Sequence, residues 1–148
     1  MIEIPDGICD EVFNDEHFPK GTVIRLKYHF TNSINPRNKY FVSLSLDPSA
    51  NPIVFVITTS KIDFFLRHPQ FNNDAITVTA KSLDYFTEDT VIDCRQIHSL
   101  SRDKLRDHFK QKTLQFIGRL PLEYIEKIDA VIPRSKLISK EVKRLILG

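Results

Sequence analysis

Asp93 and Arg95 stand two apart within Thr90–Leu100, a stretch whose residue types predict an extended strand. Alternate residues of a strand leave the same face, which puts their attachment points about 7 Å apart. A phosphate fits between an anion and a cation at that spacing. An anion and a cation held at one place are the elements of general acid–base work and of charge stabilisation. The pattern is equally that of an ordinary same-face ion pair, worth ~0–1 kcal/mol. His29 and His98 are the other acid–base candidates, since an imidazole with a pKa of about 6.5 suits proton transfer. Half-buried strand histidines would read the same way. His17, His68 and His108 have no partner at ligand spacing, so no metal site is expected. The four glycines leave no phosphate-cradling loop of the GxGxxG or GxxxxGK[ST] kind, and no GxSxG elbow is present. No cofactor is expected.

The chain that must position these groups has 148 residues, about one domain's worth. With 41% hydrophobic and 27% charged residues it has the composition of a globular protein. No apolar run approaches ~18 residues, so no membrane span is expected. The first residues lack a basic segment leading into an apolar one, so no secretory signal is expected. Cys9 and Cys94, with no CxxC, fit a reducing, cytoplasmic setting and exclude a thiolate zinc site. The net charge of +2 hides a split. Residues 1–94 hold 8 Lys and Arg against 13 Asp and Glu; residues 95–148 hold 13 against 6. Such asymmetry suits a nucleic-acid face with an acidic segment elsewhere, or simply two well-solvated halves.

Residues 1–20 read as an acidic leader punctuated by Pro5, Gly7 and Pro19. Period-two alternation then predicts strands over 22–30, 39–46 and 75–80, and the apolar run 53–57 a strand covered on both faces. Thr90–Leu100 is the fifth. A polar loop at 31–38 and a turn at 47–52 separate the first three. Ser60 is placed to cap a short helix over 61–67. After Ser101 the period becomes helical: 101–110, a helix opened by Pro121 and stopped by Pro133, and a third from Ser139. The expected fold is mixed α+β, a strongly curved antiparallel sheet with helices packed on it.

The order of these pieces resembles the MazF/PemK/Kid toxin family. Gly21–Thr31 is similar to that family's opening strand, and Lys39–Ser45 sits where it has an Arg-Pro-led strand. Ile57-Thr58-Thr59-Ser60 resembles its Ile-Thr-Ser/Ala strand end, and Asp89–Ser101 its Asp-Ser-Val-Ile…Gln-Ile-Arg-Thr-Ile-Asp segment. Gly118-Arg119-Leu120-Pro121 and Ile128 match the spaced remainder.

The resemblance covers about residues 20–132. It implies an SH3-like β-barrel over 21–132, dimeric, with 133–148 as an additional amphipathic helix packed on it or on a partner. It also implies a metal-independent endoribonuclease acting on single-stranded RNA, in which the ribose 2′-OH attacks the adjacent phosphate. A cyclic phosphate and a 5′-OH result. A cognate antitoxin would be the protein partner.

By the same resemblance Asp93 and Arg95 stand where the Kid branch has Arg-Cys-Asp, here in reversed order as Asp93-Cys94-Arg95. Thr58 matches a threonine that contacts the reacting phosphate. Lys39 replaces the arginine of Arg-Pro, a point charge in place of a bidentate clamp, and Arg37 is placed to substitute for it. Thr59 and Ser60 are near-equivalents of Thr58, and His29 and His98 complete the RNA-contacting candidates. Tyr28, Tyr40, Phe41 and Phe71 can stack bases, although core filling suits Phe41 and Phe71 better. Two readings stand: a toxin endoribonuclease, or a barrel without catalysis that binds RNA or protein.

Overall fold

The computed structural model describes residues 18–28, 37–79, 83, 86 and 88–148. The acidic stretch 1–17 and residues 29–36, with His29, lie outside the described residues, as do the side chains of Tyr28 and Arg37. The strands are β1 (Thr22–Tyr28), β2 (Arg37–Ser43), β3 (Ile53–Thr59), β4 (Ala75–Val78), β5 (Thr90–Leu100) and β6 (Leu114–Arg119). They form one antiparallel sheet in the order β4-β5-β3-β2-β1-β6. The sheet is open, with β4 and β6 at its edges. Among the described residues four α-helices accompany it: α1 (Ile62–Arg67), α2 (Arg102–Lys110), α3 (Leu122–Val131) and α4 (Lys140–Leu147). The mixed α+β class, the antiparallel sheet and the late helices agree with the sequence; β6 is additional.

Alternation explains how the sheet is covered. In β1, Ile24 and Leu26 are buried on one side and Val23 on the other, while Arg25 and Lys27 reach solvent. Central β3 is buried from Ile53 to Thr58, because each of its faces meets a different core. Phe55 and Ile57 join Ile24, Leu26, Phe41, Phe18 and Leu105 of α2. Val54 and Val56 join Val42, Ile92, Tyr124 and Ile128 of α3, and Ile138 and Ile146 at the C-terminal end. Residues 133–148 thus pack on their own chain's sheet.

The helix ends follow simple chemistry. Ser101 Oγ accepts from Lys104 N at 3.2 Å and Ser139 Oγ from Val142 N at 3.2 Å, which satisfies a first-turn donor in α2 and in α4. Lys20 Nζ fastens α3 and α4 to the sheet, 2.6 Å from Asp129 Oδ1 and 2.8 Å from the Ile146 carbonyl.

One irregularity shapes the molecule. Val56 of β3 pairs with Ile97, yet the next residue, Ile57, pairs with Asp93. Cys94, Arg95 and Gln96 therefore face no β3 residue and form an extended bulge, which bends a strand and sharpens its twist. Three is an odd number, so the faces exchange across it. Ile92 and, beyond the bulge, Ile97 both face the α3 side, whereas Leu100 faces the α2 side.

Candidate functional site

The carboxyl end of β3 sits between two clefts, and Thr59 lines both. The first, about 200 Å³, is walled by Lys39 and Tyr40 of β2, by Thr58, Thr59 and Ser60, and by Phe86, Glu88 and Thr90 on the approach to β5. Antiparallel pairing of β2 with β3 brings Lys39 beside the strand end despite eighteen residues between Lys39 and Thr58. Thr58 is buried, and its hydroxyl donates to the Tyr40 carbonyl at 3.3 Å. Tyr40 packs edge-on to Phe86 with ring centres 5.2 Å apart. Thr59 Oγ1 accepts from Lys61 N at 3.2 Å, so Thr59 organises the entry to α1. That corrects the expected cap: α1 begins after Lys61 without a side-chain cap, and Ser60 is an exposed residue of the cleft wall.

The second cleft, about 210 Å³, is lined by Thr59, Lys61, Phe64, Phe65, Asp93, Arg95 and Gln96. Here no room for a phosphate is left between Asp93 and Arg95: Arg95 lies in the bulge that follows Asp93, and the two side chains bond directly. Arg95 Nε reaches Asp93 Oδ1 and Nη2 reaches Oδ2, each at 2.9 Å. Oδ1 also accepts from Arg95 N at 3.1 Å, and Oδ2 from Gln96 Nε2 at 3.0 Å. A carboxylate offers about four acceptor positions, and these four donors fill them. The Asp93 side chain is 2% exposed and that of Arg95 17%. The guanidinium lies 4.1, 5.1 and 5.3 Å from the ring centres of Phe71, Phe64 and Phe65. Phe64 and Phe71 are parallel within 8°. No phosphate can enter between two groups already bonded to each other.

The remaining candidates fall elsewhere. His98 pairs with Phe55 beyond the bulge, packs edge-on to Phe41 at 6.3 Å, and lines neither cleft. Burial holds its pKa below the usual 6.5. Arg37 opens β2 opposite Tyr28 in the backbone register. Cys94, wholly buried between Asp93 and Arg95, has its thiol pushed up to about 12, chiefly by burial and then by the negative charge of Asp93. Among the described residues no three His, Cys, Asp or Glu side chains are grouped to hold a metal, and no helix is long and apolar enough to cross a membrane.

Glu88, Phe64 and Gln96 are among the cleft residues that sequence reasoning missed. Glu88 carried a signal, since it directly precedes the Asp89-Thr90 entry to β5. Phe64 and Gln96 carried none beyond their types; their positions depend on how α1 folds back over the bulge. No protein-family model matches this chain, and no curated protein matches it.

Proposed function

We propose that this protein cleaves single-stranded RNA as the toxin of a toxin–antitoxin pair of the MazF/PemK/Kid kind. The observation that carries the reading is the meeting of Lys39 with Thr58, Thr59 and Ser60 in one solvent-open polar cleft. Two segments distant in the chain thereby supply a cation and hydroxyl groups at a single place. Glu88 adds a carboxylate to the same wall. On this reading Glu88 takes the 2′-OH proton as O2′ bonds to phosphorus and the P–O5′ bond breaks. Lys39 offsets the charge of the pentacoordinate phosphorus and returns a proton to the departing 5′ oxygen, leaving a cyclic phosphate and a 5′-OH.

Asp93 is not the base of this scheme, because its lone pairs are already occupied. The fold is then an SH3-like barrel left open between β4 and β6. The protein works as a cytoplasmic homodimer, and the antitoxin covers the cleft.

The occupied state of Asp93 also favours a second reading, a barrel of this shape that holds RNA or a protein without cutting. Incubation with mixed-sequence single-stranded RNA in EDTA, followed by mapping of the product ends, separates the two. The first reading expects cyclic-phosphate ends, with cleavage falling by about 10²-fold or more in Glu88→Gln, the usual worth of a general base. Lys39→Ala should fall as well. Binding without cleavage selects the second reading, and neither binding nor cleavage removes both.

A further inference from the structure

We infer that the second cleft is a nucleobase subsite, which takes the base next to the phosphate held at Lys39 and the threonines. The inference rests on the RNA reading above. Thr59 lines both clefts, so a strand whose backbone crosses Thr59 presents one base to each side. The second cleft offers what holds an unstacked base: flat surfaces and a fixed polar edge.

The flat surfaces are aromatic and cationic. Phe64 and Phe65 line the cleft beside the guanidinium plane of Arg95. That plane cannot swing away. Two bonds to Asp93 hold its edge, and the rings of Phe64, Phe65 and Phe71 lie 4.1–5.3 Å from its centre. A guanidinium so immobilised meets a base with little ordering cost at the moment of binding.

The polar edge is Gln96. Its Nε2 donates to Asp93 Oδ2 at 3.0 Å, which commits the amide nitrogen and leaves Oε1 to accept from a base N–H. Asp93 is thus a positioning residue, setting both the stacking plane and the direction of the amide. Lys61 at the rim supplies a cation for the next phosphate.

Affinity of the whole protein for a short single-stranded RNA, measured with each nucleotide in turn made abasic, tests the subsite. Removal of one particular base should weaken wild-type binding by about ten-fold or more, within the range for loss of a stacked base. In Gln96→Leu and in Phe64→Ala that position-specific penalty should shrink while the fully abasic backbone binds as tightly as before. Thermal melts of both variants accompany the titrations. If Phe64→Ala does not fold, the exposed Gln96 decides alone. Equal binding of every abasic RNA, or a penalty undiminished in Gln96→Leu, overturns the subsite and leaves RNA binding intact. No RNA binding at all overturns the subsite together with the reading beneath it.

Discussion

Asp93 accepts from Arg95 through two parallel N–H bonds and from two further donors, at a position 1% exposed. Removing the carboxylate would strand a largely buried guanidinium among three phenylalanines. Breaking a buried pair on one side costs about 3–5 kcal/mol. Asp93→Ala should therefore lower the urea midpoint by that equivalent at neutral pH. An unchanged midpoint would return Asp93 to the list of reactive groups. Cys94 belongs to the same turn of chain, and its raised pKa and complete burial make it inert. In a Cys9→Ser background, a thiol reagent at pH 8 should label the native protein hardly at all and the unfolded protein fully. The i,i+2 spacing put Asp93 and Arg95 on one face, as a pair open to a phosphate or as an ordinary ion pair. It did not decide for the direct bond, since that depends on Phe64 and Phe65 of α1, and Phe71 of the 3-10 turn after it, arriving around the guanidinium.

At the level of elements, the strands with clean alternation were readable, and β1, β3, β4 and β5 form close to their expected bounds. Each reading rested on β-branched or aromatic residues facing a core. β6 was missed because Leu114-Gln115-Phe116-Ile117 is short and lies between two helical runs. Its partner is β1, eighty-eight residues earlier at the Leu26–Leu114 pair, and no local pattern reports such a distant edge. Gly21 sits where β1 begins, with φ of +90°, donating to the Ser43 carbonyl at 2.8 Å and accepting from Leu120 N at 2.8 Å. An added Cβ would stand 2.5 Å from Ile125 Cδ1. Gly21→Ala meets both the positive φ and that contact. It should cost about 1–3 kcal/mol, read as a drop in melting temperature.

Across the whole molecule the sheet is a wall between two cores, α2 on one side and α3 with α4 on the other. Two histidines on the described chain titrate below their ordinary value: His98 through burial, and His108 through burial and then the nearby Lys104. At these two sites the folded chain therefore binds fewer protons than the unfolded chain near pH 6. Their contribution to stability is complete above about pH 6.5 and is lost as pH falls below it. Urea midpoints should decline between pH 7.5 and 5.5, and a His98→Gln, His108→Gln double variant should flatten that decline.

The odd length of the 94–96 insertion has an evolutionary corollary. Losing one codon there would leave an even insertion, across which unbroken alternation already delivers Ile97 to the α3 side and Leu100 to the α2 side, where they now lie. The exchange of faces would no longer be needed and the strand could straighten. Single-codon deletions at this place should therefore yield soluble, folded protein with its second cleft erased.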